Sequence, residues 1–107
     1  MNDYVKKIDF NQAKRIATES ALRRLKPFMD DENISVLSAE FKEADYCWFF
    51  FRNEKIVGPP ERSLAWDGAY AISKKGTESL IADYSNDPIA LNEYLQKMSN
   101  YFRDRNL

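Results

Sequence analysis

Tyr46-Cys47-Trp48-Phe49-Phe50-Phe51, running into Arg52 and Asn53, is an unbroken apolar and aromatic run. Large aromatic residues in so short a stretch favour a strand over a helix. Alternation along a strand turns Tyr46, Trp48 and Phe50 to one side and Cys47, Phe49 and Phe51 to the other. Both sides are apolar, so the strand is expected at the centre of its sheet with cover on each face. Burying one such side chain stabilises a fold by roughly 1.5–3 kcal/mol, enough for this strand to dominate a small core.

Outward from it, the preceding segment Ile34–Lys42 reads as another strand, with Ile34, Val36, Leu37 and Phe41 as its apolar positions. Glu43-Ala44-Asp45 is short enough to make the two strands an antiparallel hairpin. On the other side, Ala69-Tyr70-Ala71-Ile72-Ser73 and Thr77–Ala82 are a second pair, joined by Lys74-Lys75-Gly76. Gly76 is suited there to a positive φ. Between the hairpins lies the irregular stretch 54–68, whose Gly58-Pro59-Pro60 core continues neither strand nor helix.

Helices are expected at each end. Asp9 and Gln12 have the spacing of a capping box, and Ala13, Ile16, Ala17, Ala21 and Leu25 follow at helical intervals until Pro27. Residues 1–8 form a polar lead-in anchored by Val5 and Ile8. Near the other end, Asp87 suits an N-cap and Pro88 the first helical position. Ile89, Leu91, Leu95, Met98 and Phe102, with Tyr94 and Tyr101 alongside, form its apolar face, and Arg103 and Arg105 complement the helix dipole. The expected architecture is therefore a single α+β domain over residues 1–107. It has an N-terminal helix, a four-stranded antiparallel meander and a C-terminal helix, with both helices on one face of the sheet. The 54–68 loop then covers the other face or projects from it.

Composition narrows the chemistry. The chain has 107 residues, one Cys and no His, so His-dependent triads and multi-ligand Cys/His zinc sites cannot be assembled. An enzyme here would have to run on carboxylates, such as Asp67 with Glu61 or Asp45, and nothing fixes their separation. Cys47 reads as a small buried hydrophobe. Sixteen basic residues against 17 acidic ones leave no excess to attract nucleic acid. No apolar run reaches the roughly 20 residues of a membrane span, and Met1–Lys7 lacks the apolar core of a secretion signal. The expected location is the cytoplasm, and neither cofactor, nucleic acid nor membrane is expected as a partner.

The order of these features resembles the bacterial immunity protein 35 family. The likeness runs through Asp9-Phe10-Asn11-Gln12-Ala13 with Ile16-Ala17, Trp48-Phe49-Phe50-Phe51, the Ala69–Gly76 strand and turn, and Asn86-Asp87-Pro88 through Leu95. The chain departs from the family at Trp66-Asp67-Gly68-Ala69, where members carry a Gly-Asn-x-Pro-like element. The resemblance implies a small cytoplasmic protein encoded beside a polymorphic or contact-delivered toxin, which it neutralises by direct protein contact. Such a protein needs aromatic anchors and complementary charge rather than a catalytic group. Composition makes Asp30, Asp31 and Glu32 candidate contacts for a basic, nuclease-like toxin domain. Glu54, Glu61, Arg62, Trp66 and Asp67 of the long loop are the others. The alternative is a module binding a small apolar ligand or peptide in a cavity lined by Tyr46, Trp48 and Tyr70. An exposed sheet edge is also able to pair with a second copy.

Overall fold

Asp9 begins the first helix in the way its neighbours require. In the computed structural model, which describes residues 4–26, 35–53, 56, 69–82, 84 and 86–107, its carboxylate accepts the Gln12 N–H at 2.8 Å. The Gln12 side chain in turn accepts the Asp9 N–H at 2.9 Å, completing the capping box. The elements that follow are α1 (Phe10–Leu25), β1 (Leu37–Glu43), β2 (Cys47–Arg52), β3 (Ala69–Ser73), β4 (Glu78–Ile81) and α2 (Pro88–Asp104). The strands form one antiparallel sheet in the order β1-β2-β3-β4, so the fold is α+β with a four-stranded meander and a helix at each end. Gly76 adopts φ +96° in the β3–β4 turn, as expected there. Asp87 caps α2 by accepting the Ala90 N–H at 3.1 Å, with Pro88 in the first turn.

The two helices do not share a face. α1 lies over Trp48, Phe50, Tyr70 and Ile72, while α2 lies over Cys47, Phe49, Phe51, Ala69 and Ala71. The reason is the pairing of two apolar strands. β2 and β3 are in register, with Trp48 opposite Ile72 and Phe50 opposite Tyr70. Both therefore show apolar residues on the same two sides, and each side has to be covered. The sizes fit. α1 brings Ala13, Ala17 and Ala21 against the bulky ring face, whereas α2 brings Leu91, Leu95 and Phe102 against the alanine-rich face. Packing to interior density requires that large groups meet small ones.

Other boundaries shift for physical reasons. β1 starts at Leu37, and Ile34 lies outside the described residues. A bulge between Leu37 and Phe41 changes the register on β2, which bends the edge strand. Phe41, one of the apolar positions read for this strand, is 45% exposed but keeps its ring 4.6 Å from Phe10. Ile89 is 75% exposed, and Tyr101 also faces out. The buried stripe of α2 instead includes Ser99, whose hydroxyl accepts the Tyr46 N–H at 2.9 Å. Val5 does not anchor the lead-in. That task falls to Ile8 and to Lys7, whose N–H donates to the Lys74 carbonyl at 2.8 Å.

Ala17 is fully buried on the sheet-facing side of α1, so Ala17→Leu is expected to destabilise the fold by about 1–3 kcal/mol through overpacking. Loss of the cap in Asp9→Ala is expected to cost less, about 1 kcal/mol. Urea unfolding of both variants beside the parent chain checks the order; a larger loss for Asp9→Ala would contradict the packing described.

Candidate functional site

All eight candidate contacts lie outside the described residues: Asp30, Asp31 and Glu32 between α1 and β1, and Glu54, Glu61, Arg62, Trp66 and Asp67 between β2 and β3. What the structure does place is the root of each segment. Leu37, at the start of β1, is opposite Arg52, at the end of β2. Phe51 is opposite Ala69, which is opposite Ile81. These four chain ends therefore meet at one end of the sheet. The start of β1 and the end of β2 are also bonded to each other. The Asn53 side-chain amide donates to the Ser35 carbonyl at 2.8 Å, and the Asn53 N–H donates to the Val36 carbonyl at 3.0 Å. Ile56 is drawn back into the α1 core, with its N–H on the Asn53 carbonyl at 3.0 Å and its own carbonyl accepting from the Arg52 guanidinium.

The opposite end of the sheet carries a group that the sequence did not foretell. Lys74, read there only as a turn residue, is 6% exposed. Its ammonium pairs with the Glu43 carboxylate and stands 3.9 Å from the centre of the Trp48 ring. Lys6 approaches the same ring at 5.5 Å. Lys75 lies 4.8 Å over Tyr4, Arg103 lies 5.8 Å from the centre of the Tyr46 ring, and Tyr4 meets Tyr46 edge-on at 5.0 Å. A cation over an aromatic face contributes about 0.5–2 kcal/mol, more as it is desolvated. These cations come from three distant segments, so no local pattern announces the group. Chemically it ties the lead-in, the hairpin turns and the end of α2 together.

Among the described residues, two grooves open on the α2 face. One, of about 400 Å³, runs between edge strand β1 and α2, lined by Glu40, Lys42 and Phe51 on the sheet side and Pro88, Leu91, Asn92 and Leu95 on the helix side. The other, of about 260 Å³, is a shallower depression at Tyr84, Glu93, Tyr94 and Lys97. The cavity expected of a ligand-binding module at Tyr46, Trp48 and Tyr70 is not formed. Trp48 and Tyr70 are packed into the core under α1, and Tyr46 is met edge-on by Tyr4.

Among the described residues no cluster of His, Cys, Asp and Glu has the makings of a metal site, and no helix is long and apolar enough to cross a membrane. Cys47 is fully buried, and burial pushes its thiol up to about 12, against smaller opposing effects of the Lys74 charge and a hydrogen bond with Ser99. Comparison of the chain with protein-family models, with curated proteins and with solved structures finds no match.

A thiol held neutral in the folded state and free to ionise near pH 9 when unfolded favours folding fully below pH 9. Its contribution falls as pH rises from there toward 12, because only the unfolded chain then loses the proton. The stability difference between the parent chain and Cys47→Ala is accordingly expected to shrink above pH 9. Native protein at pH 8 should also leave a disulfide-exchange reagent unreacted until denaturant is added. Rapid labelling of the native thiol would show that it is not enclosed as described.

Proposed function

We propose that this chain acts in the cytoplasm as an immunity protein, binding a cognate toxin domain and neutralising it by direct contact rather than by catalysis. The observation that carries the proposal is the bonding of the two roots, Asn53 to Ser35 and Val36, at one end of the sheet. Both segments that bear the acidic and aromatic candidates depart from that junction. A rigid β-sheet end feeding two such segments suits a contact surface, since binding residues are commonly carried on loops positioned by a scaffold. Six acidic candidates, Asp30, Asp31, Glu32, Glu54, Glu61 and Asp67, against the single basic Arg62 favour a basic partner such as a nuclease domain. Trp66 supplies the type of anchor on which binding energy concentrates. The resemblance to the immunity protein 35 family points to the same class of partner.

The alternative, a module for a small apolar ligand, loses its expected site to the packing of Trp48 and Tyr70. A pull-down from the native cell at moderate salt tests the proposal directly. A toxin-like domain is expected at near-stoichiometric yield. Replacing Asp30, Asp31 and Glu32 together by Asn, Asn and Gln is expected to weaken its capture about tenfold or more, which corresponds to roughly 1.4 kcal/mol. Retention of a small molecule with no protein partner would reverse the order of the two readings.

A further inference from the structure

The sheet has two edges, and they are treated differently. β4 is short and only half exposed, and Glu78 on it is held under α1 by the Ser20 hydroxyl at 3.0 Å and by Arg23. β1 is exposed from Ala39 to Glu43, and among the described residues no strand lies beyond it. An open edge of unpaired backbone is a template for a further strand.

The backbone phase of that edge is fixed by its hairpin. The Ala44 N–H donates to the Cys47 carbonyl at 2.8 Å, and the register continues through Glu43 opposite Trp48, Lys42 opposite Phe49 and Phe41 opposite Phe50. Directions alternate along an antiparallel ladder. Lys42 therefore turns its N–H and C=O toward β2, and Phe41 turns both outward. The side chains alternate as well. Glu40 and Lys42 face the α2 side, where they line the groove, and Phe41 faces the α1 side beside Phe10 and Phe50.

We infer that β1 is a self-complementary edge whose partner is the same strand of a second copy, paired antiparallel about Phe41. In that register the outward N–H and C=O of Phe41 exchange hydrogen bonds with those of Phe41 in the other copy. Glu40 falls opposite Lys42, and Lys42 opposite Glu40, as the closer, non-hydrogen-bonded pairs of the ladder. The charge sequence Glu40-Phe41-Lys42 reverses sign about its centre, which is what a two-fold axis through Phe41 requires. On the α1 side the two exposed Phe41 rings meet and join the Phe10–Phe41–Phe50 clusters of the two copies. The result is a continuous eight-stranded sheet. The bulge between Leu37 and Phe41 limits the regular ladder to the residues around Phe41, so the association is reversible rather than obligate. It uses the side edge of the sheet and does not depend on the toxin-binding proposal.

Sedimentation equilibrium of the full chain over a wide concentration range tests this. The parent is expected to move from 12.5 kDa to twice that mass. Glu40→Lys or Lys42→Glu alone sets like charges opposite each other at both symmetric positions, and each is expected to weaken the dimer about tenfold. The double variant Glu40→Lys with Lys42→Glu is expected to recover it, and the two single variants mixed are expected to pair with each other. Both side chains are exposed, so at a concentration low enough for the parent to be monomeric all variants should unfold at its urea midpoint. A parent that stays monomeric at every concentration overturns the inference and leaves the edge to an extended segment of a different protein. A dimer indifferent to the single changes, or not restored by the double, overturns it equally.

Discussion

β2 is apolar on both sides, and that constraint organises everything around it. A strand with Trp48 and Phe50 on one side and Cys47, Phe49 and Phe51 on the other loses stability wherever either side meets water. One neighbour, β3, repeats the condition, since all five of its residues are buried. Two adjacent strands of this kind need cover above and below, and the chain has one helix on each side of the sheet in sequence to provide it. The three-layer arrangement follows from that requirement rather than from any preference of the helices.

The faces are not equivalent. The ring-rich face takes a helix that offers mainly alanine, which lets the α1 backbone approach Trp48 and Tyr70 closely. The opposite face has Phe49 and Phe51 on β2 but only Cys47, Ala69 and Ala71 beside them, so α2 supplies more volume with Leu91, Leu95 and Phe102. Exchanging the helices would leave voids on one side and clashes on the other, and both are costly in a close-packed interior. Cys47 belongs to this division of volume. Its thiol fills a small space next to Ser99, and the burial that keeps it neutral also keeps it from serving as a nucleophile.

The ends and the sides of the sheet take different roles. At one end, Lys74 closes the structure by pairing with Glu43 across the face of Trp48, so a buried cation is stabilised by a carboxylate and a ring together. At the other, Asn53 gathers the roots of the long connections. Of the two sides, β4 is secured by α1, and among the described residues no strand lies beyond β1. The Asn53 junction and the β1 edge thus lie in separate places on the sheet, one at its end and one along its side.

Local chemistry in the sequence was sufficient for every element whose determinants are close together. The capping box of Asp9 and Gln12, the Asp87-Pro88 helix start, the turn at Gly76 and the two-sided burial of β2 depend only on neighbouring residues, and each is read directly from spacing. The face chosen by each helix was not legible, because it depends on how β2 and β3 align across a long connection and on which volumes then remain. Ser99 inside α2 and Lys74 inside the sheet end were hidden for the same reason: a polar group is buried only when a partner distant in sequence satisfies it, as Tyr46 does for Ser99 and Glu43 for Lys74. Ile89 and Phe41 stand exposed despite apolar side chains, since periodicity counts residues along an element while burial depends on where the neighbouring layer ends. The sequence by itself determined which elements form and where most begin. Only the tertiary structure decided which face of the sheet each helix covers, which described strands lie at its edges, and which chain ends meet at one end of it.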